Sequence, residues 1–307
     1  MKIKIGVIGS GEHFSKNIYP VLVKNPNIEI VGILSKKKNK KINCYNENNF
    51  YKLDLDFVYI STPSKTHSKY ILKSLKKNIN VLCEKPFCYK LTDFNKIKNL
   101  AINKNLLVFE CFMYRFHPIF NYLKKLILIK KFGKIKFVNS AFTVPQISKK
   151  NNRYDKKIGG GFFLDLGVYL ISLEHYLFKK KIKINNFLSR SYKNSNKLSI
   201  KGCIVTKDRF LSCYNWGIGV DYYNFLEIVF EKAVIKIDRF YTKNNKEKSI
   251  LNIYTNNNKK IFFKPMNQFS IMFNEVFKNY KSKNYKIQEL NNIESQLRNI
   301  LKFKNEF

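Results

Sequence analysis

The chain has 307 residues, 45% hydrophobic and 15% aromatic. That is enough for about two domains with substantial cores, and it excludes a disordered protein. The formal charge of +37 comes from 52 lysines and only six arginines, with lysine and asparagine spread along the whole length. A face built for nucleic acid draws freely on arginine, so the charge reads as a solvated surface that attracts small anions, with no specific nucleic-acid partner.

Six cysteines, at 44, 83, 88, 111, 203 and 213, form no C-x-x-C pair, and those beside apolar runs read as buried thiols in a reducing compartment. The first residues, Met-Lys-Ile-Lys-Ile, lead straight into a strand and are no signal peptide. No apolar run approaches the roughly 18 residues needed to cross a bilayer, so no membrane partner and a cytoplasmic location are expected. No metal-ligand spacing is present in the sequence.

Residues 2–8 predict a first strand, followed by Gly9-Ser10-Gly11-Glu12-His13-Phe14 and a helix to about Lys24. Strand, glycine turn and helix in that order are the setting of a dinucleotide fingerprint. Gly9 permits the tight turn, Gly11 lets backbone amides approach a pyrophosphate, and Ser10, Glu12 and His13 flank it at the positive end of the helix. Phe14 stands where glycine or alanine usually allows close packing, which predicts a helix that sits further out or starts differently. Ile28–Leu34 reads as the second strand, with Ser35 and Lys36 after it. An NAD site places an acid here to accept from the ribose 2′-hydroxyl; none is present, while serine and lysine suit a 2′-phosphate, so NADP is favoured over NAD.

Residues 36–52 are too short and polar for a full α/β unit and read as an irregular crossover. Asp56–Ile60 predicts a strand ending in Ser61-Thr62-Pro63, with a helix from about Thr66 to Leu75. His67, in the first turn of that helix, reads as a surface or capping histidine or as a group near the nicotinamide. The run Val81–Phe87 is a buried strand that stops on Glu84, Lys85 and Pro86. Ligands of open α/β sheets sit beyond the carboxyl ends of the strands, and Pro86 restricts Lys85 to extended conformations. Position alone separates Lys85 from the other lysines.

Thr92 predicts the cap of a helix to about Lys104, and Leu106–Phe109 another buried strand that runs into Glu110–Pro118, with Arg115 as a candidate substrate contact. The β-α alternation then changes character, which places a dinucleotide-binding domain at 1–118 and a substrate-binding and oligomerisation domain at 119–307. In the latter, a helix to about Lys131 and a strand Lys134–Val144 precede a polar stretch and Gly159-Gly160-Gly161. Asp165 and Tyr169 follow, four apart and hence on one helix face. Singly they read as a cap and a packed ring; together, behind a close-approach glycine run, they read as an acid and a phenol for chemistry. Strand-like runs at 198–206, 209–215, 222–230, 233–241, 249–254 and 260–264 predict a mostly antiparallel sheet, and helices at 267–280 and 287–303 close the chain. Phe225–Phe230 is apolar on both faces, so one face should cover helices and the other meet a second subunit.

With these motifs in this order, the chain resembles the Gfo/Idh/MocA family of glucose-fructose oxidoreductase, inositol dehydrogenase and rhizopine-catabolism oxidoreductases. Gly9-Ser10-Gly11, Ser61-Thr62-Pro63 with His67, Glu84-Lys85-Pro86, and Gly159-Gly160-Gly161 with Asp165, Gly167 and Tyr169 carry the resemblance. Glu110–Pro118 is closer to the branch that holds dihydrodiol dehydrogenase and NADP-dependent xylose dehydrogenase. The resemblance implies an α/β fold: an N-terminal Rossmann domain, and a C-terminal α+β domain on an open, mostly antiparallel sheet. It also implies Lys85, Asp165 and Tyr169 as catalytic group, a sugar, polyol or phosphorylated or nucleotide-linked sugar as substrate, and a homodimer or homotetramer through that sheet. The rival reading is a dinucleotide-binding regulator that keeps the fold and has lost the chemistry; the complete lysine, aspartate and tyrosine set argues against it.

Overall fold

The computed structural model describes residues 2–35, 42–148, 155–178, 183–186, 199–206 and 210–306. They form two compact units. The first holds Met1–Phe112, Lys157–Gly159 and Met272–Leu301, the second Met113–Lys156, Gly160–Ile271 and Lys302–Phe307. The division departs from a simple split after residue 118, because the chain returns to the first unit twice.

Six parallel strands build the first unit: β1 (Ile3–Ile8), β2 (Ile28–Leu34), β3 (Cys44–Tyr45), β4 (Phe57–Ile60), β5 (Asn80–Cys83) and β6 (Val108–Glu110), in the order β3-β2-β1-β4-β5-β6. That is the doubly wound order, and parallel strands covered on both faces should be apolar throughout. β4 is the clearest case, with all four residues fully buried. Alternate residues of β4 face opposite sides. Phe57 and Tyr59 meet Phe273, Phe277 and Tyr280, while Val58 and Ile60 join a cluster with Ile71, Leu75, Phe94, Ile97, Leu290 and Ile293. The covering helices are α1 (Tyr19–Lys24), α2 (Glu47–Phe50), α3 (His67–Lys76), α4 (Leu91–Asn103), α7 (Gln268–Asn279) from Met272 onward, and α8 (Lys283–Ile300). The closing helices, expected in the second domain, thus complete the first core.

Local signals account for most boundaries. Among its described residues the irregular crossover holds the two-residue β3 and the single turn of α2, capped by the Asn46 side chain, which accepts from the Asn49 N–H at 3.0 Å. Thr92 does not cap its helix: α4 begins at Leu91, with Lys90 at the cap position and no side-chain cap. α8 begins four residues before the expected start, because Ser282 caps it.

The second unit is an eight-stranded sheet of β7 (Ile135–Val144), β8 (Lys183–Asn186), β9 (Ser199–Thr206), β10 (Leu211–Ile218), β11 (Tyr223–Phe230), β12 (Val234–Asp238), β13 (Ser249–Tyr254) and β14 (Lys259–Phe263). Its order is β14-β13-β12-β11-β7-β10-β9-β8, antiparallel except where β10 runs parallel to β7. α5 (Pro118–Leu128) and α6 (Val168–Tyr176) belong to it, and eight of the nine α6 residues are buried. Under the sheet lies an aromatic core in which Tyr114, Phe142, Tyr169 and Tyr241 pack ring against ring, with Trp216 against Phe163. No helix among the described residues is long and apolar enough to cross a membrane. Cys44, Cys83, Cys88, Cys111 and Cys213 are thiols.

His117 and Lys243 of the second unit are held well below their ordinary pKa. Burial, aided by the Lys243 charge, pushes His117 down to about 3, and burial pushes Lys243 down to about 7. Lys243 Nζ donates to the Arg239 carbonyl at 2.8 Å and lies over the Phe240 ring, which does not compensate its lost hydration. Above its unfolded pKa of about 10.4 the residue costs nothing; as pH falls toward 7 the unfolded chain takes up the proton first, and stability is lost. Lys243→Met should therefore raise the melting temperature at pH 7 by about 2–4 °C, the shift of roughly 1 kcal/mol, with the gain fading as pH approaches 10. An unchanged or lower melting temperature at pH 7 would contradict it.

Candidate active site

The site of the first unit starts where β1 ends. Gly9 has φ +93°, and a Cβ there would lie 2.9 Å from the Ser61 carbonyl oxygen and 2.9 Å from Thr62 Cγ2, so the turn rests directly on the end of β4. In front of it the space is open: a Cβ on Gly11 would meet nothing within 4 Å. A turn that only glycine can make, facing open space at a helix start, fits a dinucleotide pyrophosphate. Ser10 Oγ donates to Ser35 Oγ at 3.4 Å, which brings the second-strand tip beside the turn; Lys36 lies outside the described residues.

The departure at Phe14 has a visible result. The helix opens with a π turn, Phe14–Ile18, in which the Tyr19 N–H donates to the Phe14 carbonyl, before α1 continues. Phe14 is buried with its ring against Tyr19 and Tyr59, and Pro20 has no N–H to give, so the wider turn accommodates a bulky residue and a missing donor together.

β5 delivers Glu84 and Lys85. The Glu84 N–H donates to the Ile60 carbonyl at 3.0 Å; its carboxylate accepts from Tyr59 Oη at 2.5 Å and faces His13 Nε2 at 3.2 Å. Burial pushes the Glu84 pKa up, but His13, Tyr59 and the Lys85 ammonium outweigh it and hold the acid below the usual carboxylate range. Conversely, burial and the Glu84 charge drive the Tyr59 phenol well above its ordinary value. Glu84 thus stays ionised beside the glycine turn and next to Lys85, whose peptide bond to Pro86 is cis.

His67 is neither a surface residue nor a cap. It is buried at 1% exposure, with Nδ1 2.9 Å from the Pro86 carbonyl and Nε2 2.9 Å from the Thr62 carbonyl, so it joins the loops after β4 and β5. Burial holds its pKa below the ordinary value. Ser61-Thr62-Pro63 is tightened further by Thr66 Oγ1, 2.7 Å from both Thr62 Oγ1 and the Pro63 carbonyl. Three contacts here are invisible in the sequence. Ser64 Oγ and Tyr89 Oη approach the Gly159 carbonyl at 2.9 and 3.3 Å, and the buried Glu110 accepts from the Phe87 N–H at 2.8 Å. Gly159, at φ +89°, leaves no room for a side chain, since a Cβ would lie 2.4 Å from Ser64 Oγ.

In the second unit Asp165 and Tyr169 lie on one continuous helical segment, as their spacing predicts, but its first turn, Phe163–Gly167, is a π turn. Asp165 is half-buried, its N–H donating to the Gly161 carbonyl at 3.1 Å. Tyr169 is buried, and its hydroxyl donates to Met113 Sδ at 3.5 Å. Arg115 is buried as well, its guanidinium between the rings of Phe116 and Tyr176.

A glycine turn after the first of six parallel strands, beside an ionised Glu84 and a lysine beyond the fifth, defines a dinucleotide-binding domain of the Rossmann class. Residues 3–112 match the oxidoreductase family with an NAD-binding Rossmann fold, and residues 120–236 match the GFO/IDH/MocA C-terminal domain. The chain belongs to the Gfo/Idh/MocA family of oxidoreductases. It is 23% identical over 252 residues to dTDP-3,4-didehydro-2,6-dideoxy-alpha-D-glucose 3-reductase of Saccharopolyspora spinosa, covering 78% of this chain and 76% of that protein. It is 30% identical over 125 residues to trans-1,2-dihydrobenzene-1,2-diol dehydrogenase of Xenopus tropicalis, covering 41% and 38%. KijD10, a 3-ketoreductase from Actinomadura kijaniata whose crystal structure holds NADP and TDP-benzene, has the same fold at a TM-score of 0.84 and 19% identity, over 97% of this chain and 95% of that one.

Gly9→Ala tests the turn. A side chain at φ +93° against the Ser61 carbonyl should cost about 1–3 kcal/mol, so NADP affinity, read by NADPH fluorescence titration, should fall about tenfold or more. Unchanged affinity would remove the turn from the binding site.

Proposed function

We propose that the protein is an NADP-dependent oxidoreductase that interconverts a secondary alcohol and a ketone on a sugar or sugar derivative, nucleotide-linked sugars included. The observation that carries this is the contact of His13, in the fingerprint turn, with Glu84, which puts the strand end bearing Lys85 beside the cofactor turn. NADP rather than NAD is favoured by the Ser10 and Ser35 hydroxyls and by the lack of any acid from Ser35 to Lys41. The KijD10 complex with NADP and TDP-benzene supports both the cofactor and the substrate class.

When bound, NADP would supply or take up the hydride at its nicotinamide ring. An alcohol must lose its proton as hydride leaves, and an unassisted alkoxide is far too basic at neutral pH. Lys85 is assigned to polarise the substrate oxygen and stabilise its negative charge. Tyr169 is assigned to move the proton; a free tyrosine titrates near ~10, so it needs a neighbouring cation to act at neutral pH. Its hydroxyl donates to the Met113 thioether, a weak acceptor. Asp165 is assigned to hold a neighbouring hydroxyl and set the angle of the ring. Arg115 remains a candidate substrate contact whose cationic face is turned to aromatic rings.

A second subunit is proposed to cover the outer face of the eight-stranded sheet. Phe137, Leu211, Tyr223, Ile250, Tyr254 and Phe262 are 36–59% exposed and, by strand alternation and register, all project from one face. An apolar patch of that kind on a sheet marks an interface. The buried thiols of Cys83, Cys88 and Cys111 are consistent with a reducing cytoplasm.

Screening sugars, nucleotide sugars and diols for absorbance change with NADP should reveal turnover, and Lys85→Ala and Tyr169→Phe should each lower kcat about 10²- to 10⁴-fold with the fold retained by circular dichroism. NADP binding without turnover of any compound would favour the regulator instead. Leu211 and Phe137 are register partners on adjacent strands, so Phe137→Glu with Leu211→Glu should turn a dimer or tetramer into monomers in sedimentation analysis. A wild-type monomer at micromolar concentration would refute the interface.

A further inference from the structure

One peptide group, that between Pro86 and Phe87, is held at both ends by buried ionisable side chains. Its carbonyl faces His67 Nδ1 at 2.9 Å, and its N–H donates to Glu110 Oε1 at 2.8 Å. Glu110 and His67 are each 1% exposed. Glu110 closes β6, where it pairs in register with Cys83, the last residue of β5. The clamped peptide is therefore the first one after the Lys85–Pro86 bond, on the loop that presents the lysine.

Glu110 Oε1 accepts the Phe87 N–H, and a bond from a main-chain N–H to a carboxylate is among the stronger ones. An amide whose N–H is held by an anion is polarised, so its carbonyl becomes a better acceptor. That matters for His67, because a neutral imidazole has one N–H and here two carbonyls, Pro86 and Thr62, compete for it. The charged groups acting directly on His67 are the Glu84 carboxylate and the Lys85 ammonium; around Glu110 lie the thiols of Cys83 and Cys88, both driven by burial above their ordinary pKa and so neutral.

We propose that Glu110 is a positioning residue for Lys85: through the Pro86–Phe87 peptide its carboxylate draws the His67 proton to Nδ1 and locks the lysine loop between β6 and α3. Its importance for turnover rests on the assignment of Lys85 to catalysis; its link to His67 does not.

Two variants of the full chain separate these. Glu110→Gln keeps an acceptor for the Phe87 N–H and loses the charge; Glu110→Leu loses both. In ¹⁵N-labelled protein at pH 7.5, the imidazole nitrogens of His67 should show the proton on Nδ1 in the wild type and move toward Nε2 in both variants. With the best sugar from the screen and NADP, Glu110→Gln should keep kcat within about threefold, while Glu110→Leu should lose about ten- to a hundredfold in kcat, with the KM for NADP within about threefold. Wild-type protonation of His67 in the folded Gln variant overturns the proposal, and so does equal loss of kcat in the two variants. If Lys85→Ala leaves turnover intact, or no sugar is turned over, the catalytic reading fails while the nitrogen spectra still decide the link from Glu110 to His67.

Discussion

A half-buried carboxylate at the end of β5 ties three elements of the first unit together. Glu84 takes a hydrogen bond from Tyr59 on β4 and meets His13 at the start of the fingerprint helix, and its own N–H is held by Ile60. Because β1, β4 and β5 are adjacent and parallel, their carboxyl ends emerge on one side, and this single anion reaches both the segment that follows β1 and the strand β4 itself. His67 does the same work one layer back, between the Thr62 and Pro86 carbonyls. The loop that carries Lys85 is thereby held on both sides of the lysine.

Much of this first unit could be read from the residues in order. Gly9, the abrupt end at Glu84-Lys85-Pro86 and the apolar runs of β4 and β5 are local features, and the structure places them where a doubly wound sheet requires. Phe14 announced a disturbance, although its form, a π turn, depends on Pro20 six residues on. What stayed hidden is non-local. Nothing in Leu290, Ile293 or Leu297 says that their helix packs into the first core, and no alternation of residues announces that β10 lies parallel to β7 within an otherwise antiparallel sheet. Asp165 and Tyr169 share one helical segment, as their spacing announces; the contacts of Glu110, Ser64 and Tyr89 are not legible in the sequence, because each acts on a backbone group that only the folded chain brings near.

The lysine excess proves a poor guide to the working charges. With only 21 acidic residues against 58 basic ones, the acids are the scarce species, and several are buried: Glu110, Glu174 and Glu289 are each at most 2% exposed. Glu174 takes a hydrogen bond from Tyr214 beneath the sheet, as Glu110 does from Phe87. Exposed pairs such as Lys16 with Glu12 add little, since solvent screens them and long side chains lose freedom in forming them. Among the described residues the buried acids Glu110 and Glu174 accept hydrogen bonds that fix specific structure.

The return of Met272–Leu301 to the first unit bears on how the polypeptide matures. Phe273, Phe277 and Tyr280 cover one side of β4, and Leu290 and Ile293 line the other, so the nascent parallel sheet lacks part of its cover until those residues leave the ribosome. Some 160 residues separate Phe112 from Met272, which at about 5–20 residues per second is on the order of ten to thirty seconds of synthesis. During that interval the newborn sheet lacks the residues that cover Phe57 and Tyr59 in the folded protein.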